Sequence, residues 1–462
     1  MPAHPAGPRH EDLAHAGALS EPPPDLNALD ENVWPRSAGR RDGVLEVAGV
    51  PVTDAVAEYG SPLFLLDEKH FREAARSYVQ AYAGADVYYA AKAFISGRVA
   101  QWADQEGLRI DVCTLGEMEI ALRAGVDPSH ILFHGNNKSV GELRHALEVG
   151  VGRIVVDSFQ EIDRLAVLAA ELDVLPSVLV RVTVGVEAHT HEFIATAHED
   201  QKFGLALAGG VAETAAKAVA GHPRLHLRGL HSHIGSQIFD SAGFEVAAHR
   251  MAGLVAALGN DGHRIEELNL GGGMGIAYTT DDDPPGVEEM AKQLQSIVVH
   301  ECELAGVPMP RLAVEPGRAI VGAAGITVYE VGTVKTVDLG GRSRLYVSVD
   351  GGMSDNIRTA LYGAEYTVVM ANRRSDAPPV LTRVVGKHCE SGDVVVRDAW
   401  LPGDVIPGDL LAVAATGAYC RSMASNYNYL PRPAVVAVAD GACSVVLRRE
   451  SFEDLIRADA AF

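Results

Sequence analysis

The stretch VYYAAKAFISGRVAQWADQEGLRIDVCT, residues 87–114, decides the fold. It opens on a short apolar run, VYYAAK (87–92), and closes on another, RIDVCT (109–114). Runs of this length that are apolar on both faces read as buried strands. Between them, residues 96–106 read as an amphipathic helix. The stretch is therefore one strand–helix–strand unit.

The unit recurs. Further strands are expected at ILFHG (131–135), RIVVDS (153–158), VLVRVTV (178–184), LRGLHSH (227–233), ELNLGGG (267–273) and RLAVEPG (311–317). Helices are expected at 115–124, 139–149, 159–172, 209–220, 242–259 and 287–305. GEMEIALRAG and VGELRHALEVG both run from an acidic start to a closing glycine, the polarity a helix favours. Eight strands alternating with helices are the pattern of a (β/α)8 TIM barrel within an α/β protein. The open doubly wound sheet is the competing architecture.

Outside this rhythm the chain changes character. Residues 1–40, with SEPPPDLNALDENVWP, lack periodicity and are expected to be a flexible extension. Residues 41–66 have strand character and are expected to join a β-domain. The barrel is assigned to 67–320. From 321 to 462, short alternating runs such as GITVYEVGTVKTV and RSRLYVSVD, separated by turn residues, predict a C-terminal all-β domain.

Composition narrows the function. The net charge of -22, from 39 basic and 61 acidic residues, argues against nucleic acid or an anionic membrane as partner. Five scattered cysteines without a CxxC argue against a disulfide framework or a zinc site and suit a reducing cytoplasm. No signal peptide or membrane span is indicated.

In such a barrel the chemistry sits at the C-terminal strand ends. There the sequence places Lys92, Asp111, the HGNNKS segment (134–139), Arg181, His231, His233, Gly271, Gly272, Gly273, Glu315 and Arg318. Lys92, in its apolar run, is either a snorkelling lysine or a buried amine kept for chemistry. The glycines mark either a tight turn or a cradle for a phosphate, which Ser236 and Arg318 would complete. Glu315 suits either an ion pair with Arg318 or a basic ring nitrogen. The second alternatives together describe a pyridoxal-phosphate site, with Lys92 as the amine that bonds the cofactor aldehyde. His231 and His233 share a strand face, and one of them is expected to be packed or hydrogen-bonded. His189, His191 and His198 suggest a lid rather than a metal site, and no metal is expected.

Taken in order, YYAAKAF, HGNNKS, EDQKFGL, GLHSHIGSQ, LNLGGGMGI, EPGR, DGGMSDNIRTALYGA, GKHCESGD and GAYCRSMASNYN resemble the diaminopimelate decarboxylase family. That family belongs to the alanine-racemase-like pyridoxal-phosphate enzymes. The resemblance implies the following roles. Lys92 carries the cofactor, and His233 stacks on its ring. Ser236, Gly271–Gly273 and Arg318 hold or flank its phosphate, and Glu315 pairs with its ring nitrogen. Arg318, Arg358 and Tyr362 meet substrate. Cys389 is the general acid, Glu390 binds the distal amino-acid head, and Tyr419 closes on cofactor and substrate. It further implies a homodimer with shared sites, in which Cys389 and Glu390 come from the partner chain. The expected reaction converts meso-diaminopimelate to L-lysine and CO2. A related decarboxylase of ornithine, arginine or carboxynorspermidine is the alternative. A non-catalytic cofactor-binding regulator is the alternative of another class.

Overall fold

A computed structural model describes residues 21–186, 202–338 and 343–461. The chain divides into two compact units. One comprises Arg72–Ile276 and Asp283–Ile320. The other comprises residues up to Phe71, Ala277–Asp282 and Val321 onward.

The first unit is the expected barrel. Its strands are β1 (Asp86–Ala90), β2 (Arg109–Val112), β3 (Ile131–Phe133), β4 (Arg153–Val156), β5 (Ser177–Thr183), β6 (His226–His231), β7 (Glu267–Asn269) and β8 (Arg311–Val314). Each pairs in parallel with the next, and β8 pairs with β1, so the sheet closes and the open-sheet alternative is excluded. Tyr88, Leu132, Val155, Leu179 and Ala313 form a buried cluster contributed by five of these strands.

Strands give way to helices where serine or threonine follows. Ser96, Thr114, Ser139 and Ser158 each accept a backbone N–H from the first turn of the helices Gly97–Gln105, Leu115–Arg123, Val140–Val149 and Phe159–Glu171. Val211–Ala220, Ala242–Asn260 and Val287–Ala305 continue the alternation. Directly after β8 comes only the short helical turn Arg318–Val321. The helix Glu68–Ala81, which precedes β1 and which the sequence pattern did not single out, fills the eighth place. Arg72 and Arg76 both pair with Glu106, and Gln295 donates to the Ala81 carbonyl.

The second unit is built on a nine-stranded sheet. The long strand Gly325–Asp338 pairs antiparallel with Leu63–Asp67, Leu410–Val413 and Ser343–Val349. Residues 43–67 are not strand throughout. Val52–Tyr59 is a helix, with Val52 and Ala55 buried.

The flexible-extension reading of residues 1–40 fails in its described part. Val33 and Trp34 are 0% and 1% exposed, in the same core as Leu63, Ile326 and Val436. Asn27 exchanges two hydrogen bonds with the backbone of Ser375, and Arg40 donates to the Met370 carbonyl. The segment is ordered by residues far along the chain, so local periodicity carries no trace of it. Residues 1–20 and the expected lid histidines His189, His191 and His198 lie outside the described residues. Among the described residues no helix is long and apolar enough to cross a membrane.

Candidate active site

A cavity of about 160 Å³ opens at the C-terminal ends of the barrel strands. Lys92, Asp111, His134, Arg181, His231, His233 and Glu315 are among its lining residues. Six separate strands or their exits therefore deliver polar groups to one place, as strand-end position predicts.

Glu315 is the best-held group. It is 4% exposed, and its carboxylate lies 2.8 Å from His134 Nε2 and 3.2 Å from His231 Nε2. Asn269, the last residue of β7, donates its side-chain N–H to Glu315 at 2.8 Å. Burial alone would raise the Glu315 pKa, but the two histidines outweigh it and hold the carboxyl well below its ordinary range. Burial also lowers the pKa of both histidines, so each is a neutral ring offering one N–H to the carboxylate. His134, His231 and Glu315 stand close enough together to hold a metal ion. Their mutual hydrogen bonds account for the cluster without one. A second carboxylate lines the cavity. Asp111 is 3.7 Å from His134, and burial pushes its carboxyl up to about 6.

Lys92 departs from the expectation. Its neighbours Ala91, Ala93 and Phe94 are buried, but Lys92 itself is exposed. The apolar run packs the backbone while its lysine reaches out at the cavity. The alternative of a buried amine is therefore not what the structure shows: Lys92 is exposed among buried neighbours.

His233 lies two residues past the end of β6. Its Nδ1 accepts the Gly272 N–H at 3.2 Å, which puts the ring proton on Nε2 in the neutral form. Burial drives its pKa well below the usual value. The glycine run is sterically obligatory. A Cβ on Gly272 would meet the Glu315 carbonyl at 2.2 Å, and one on Gly273 would meet the Gly235 carbonyl at 2.5 Å. The backbone N–H of Gly271 is taken by Asn269 Oδ1 and that of Gly272 by His233. These two glycines therefore shape the turn rather than offer free donors to a phosphate. Arg318 donates to Ser236 Oγ at 2.8 Å, which joins the exits of β8 and β6 beside that turn.

The second unit carries the other expected residues. Arg358 and Tyr362 lie on one short helix, Arg358–Tyr362. Cys389 and Glu390 are exposed on the turn 386–393. Asp393 anchors that turn by accepting the N–H groups of His388 and Met353. Tyr419 sits at a positive φ of 61°.

His134, Asn269 and the Lys138–Glu161 pair were not assigned roles from sequence. The first two sit at strand ends, where the rule that found Lys92 and Glu315 also points. Lys138 lies within the HGNNKS segment placed at the rim, but its burial was not foreseen. It is 2% exposed and donates to Glu161 at 2.6 Å and to the Gly135 and Val155 carbonyls.

The comparisons fit this geometry. Residues 68–322 match the family model for the pyridoxal-binding domain of pyridoxal-dependent decarboxylases. The chain belongs to the pyridoxal-dependent decarboxylase family. Among its relatives in that family, the diaminopimelate decarboxylase of Mycobacterium tuberculosis is 57% identical over 440 residues, 94% of this chain and 98% of the relative. That of Bacillus subtilis is 45% identical over 92% of this chain and 97% of the relative. The crystal structure of diaminopimelate decarboxylase from M. jannaschii in complex with L-lysine is 30% identical and superposes with a TM-score of 0.85. That match covers 92% of this chain and 98% of the solved one. The residues present fit the decarboxylase cofactor, pyridoxal phosphate: an amine at Lys92, an anionic carboxylate at Glu315, and Arg318 with Ser236 beside a turn that only glycine fits.

Proposed function

We propose that the protein removes CO2 from meso-diaminopimelate to give L-lysine. The observation that carries this reading is the Glu315 carboxylate, held anionic by His134, His231 and Asn269 at a cavity that Lys92 lines. Bound pyridoxal phosphate supplies an electron sink for the carbanion that CO2 leaves behind, provided its ring nitrogen stays protonated. Glu315 would maintain that proton by pairing an anion with it. Lys92 would be the residue that carries the cofactor. His233, with Nδ1 tied to Gly272, presents a fixed neutral ring for stacking. Arg318 and Ser236 hold the phosphate.

The rest of the chemistry belongs to the second unit. Cys389 Sγ delivers the proton to the carbon that has lost CO2. The distal end of diaminopimelate is a zwitterion, so it suits the positive Arg358 and the negative Glu390. Tyr362 and Tyr419 line the substrate. We further propose a homodimer in which Cys389 and Glu390 of one chain serve the site of the other, acting in the cytoplasm. The five cysteines, none of them in a disulfide, suit that reducing compartment.

Replacing Lys92 by Ala tests the assignment. The purified variant is expected to lose the visible absorbance of bound cofactor and to release no CO2. Wild-type absorbance with full turnover would overturn the role of Lys92. A substrate panel tests the specificity: faster CO2 release from ornithine than from diaminopimelate would reverse that part of the reading.

A further inference from the structure

The Arg358 guanidinium is 7% exposed. A buried cation of this kind needs compensation. Here two tyrosines provide it. The guanidinium carbon lies 4.7 Å from the centre of the Tyr278 ring and 5.6 Å from that of Tyr366. The two rings stand nearly perpendicular, 83° apart with centroids separated by 5.3 Å. Arg358 Nη1 donates to the Tyr366 hydroxyl, and that hydroxyl lies 3.5 Å from Cys420 Sγ. The hydroxyl oxygen thus accepts from arginine and also meets the sulfur.

The rings are anchored together. Thr367, the neighbour of Tyr366, donates through both its N–H and its hydroxyl to the Tyr278 carbonyl. The Tyr278 N–H in turn is capped by Asp282. Both tyrosines therefore occupy fixed positions before any ligand arrives.

A guanidinium is a flat fork of five N–H donors. Stacking on Tyr278 sets its plane, and the bond to Tyr366 sets its rotation within that plane. The direction of the remaining N–H donors follows. We propose that Tyr366, together with Tyr278, is a positioning residue for substrate recognition, orienting Arg358 to receive the carboxylate of the substrate. This rests on the reading of Arg358 as a substrate-binding residue. In this proposal the tyrosines act through Arg358. They remove the cost of ordering a long side chain when substrate binds.

The test is steady-state kinetics of the cofactor-loaded enzyme with meso-diaminopimelate. Tyr366→Phe is expected to raise KM about 10-fold, with kcat within about twofold of wild type and the absorbance of bound cofactor unchanged. Tyr278→Leu should raise KM similarly, while Tyr278→Phe, which keeps the ring face, retains the wild-type value. In an Arg358→Gln background, Tyr366→Phe should add nothing to KM. A wild-type KM for Tyr366→Phe would overturn the proposal. So would an equal effect in both backgrounds, which marks a purely structural role. If Arg358→Gln by itself leaves KM unchanged, it is the substrate-binding reading of Arg358 that fails.

Discussion

Lys92 shows what a single residue's neighbours do and do not reveal. The apolar flanks at 91, 93 and 94 are buried, and the lysine between them is exposed. Its chemistry comes from its place just beyond β1, not from its own burial. Asp355 shows the opposite case, a polar residue whose burial governs its titration. Burial pushes its carboxyl up to about 7, against the donors from the Tyr329 hydroxyl and the Gly352 N–H. An unfolded aspartate titrates near 3.9, so between about pH 4 and 7 the folded state holds the extra proton. Stability contributed by this group is present at the acid end and declines as pH rises through that window. Asp355→Asn removes the dependence. The stability advantage of wild type over the variant should therefore shrink from about pH 4.5 to pH 7.5 in urea unfolding. Parallel curves would contradict the assignment.

At the scale of elements, alternation of strand and helix was legible because each carries its own periodicity, and four of the strand exits carry a serine or threonine cap. The helix Glu68–Ala81 escaped notice because it precedes the first strand of the rhythm. What joins neighbouring elements was less legible. Lys138 ties the loop after β3 to the end of β4 and to the helix Phe159–Glu171, through Gly135, Val155 and Glu161. Gly135 adjoins His134, so this clamp also supports the hold on Glu315. Lys138→Met leaves Glu161 buried without its cation and should cost about 3–5 kcal/mol of stability. Adding Glu161→Leu should recover part of that loss, measured as urea midpoints of the single and double variants. Unchanged midpoints would show that the pair is not coupled to folding.

Over the whole molecule, the sequentially distant segments meet where no local pattern announces them. Trp34 lies in a stretch rich in proline and acid, yet it is fully buried in the core of the second unit. Trp34→Ala should destabilise the protein by about 3–5 kcal/mol, read from denaturant unfolding. A loss under about 0.5 kcal/mol, typical of exposed positions, would refute its core role. By itself the sequence determined the eight-strand alternation, the all-β character of the C-terminal region, and the side chains gathered at the strand ends. These follow from periodicity and from the rule that parallel barrels carry chemistry at one rim. Only the tertiary structure decided that the barrel closes, that Glu315 is gripped by His134, His231 and Asn269, and that two tyrosines hold Arg358. Apart from the Arg358–Tyr366 bond, eight positions apart, those outcomes depend on hydrogen bonds and packing between residues tens to hundreds of positions apart. Such distant pairings are chosen by the folded geometry, and no local window along the chain contains both partners.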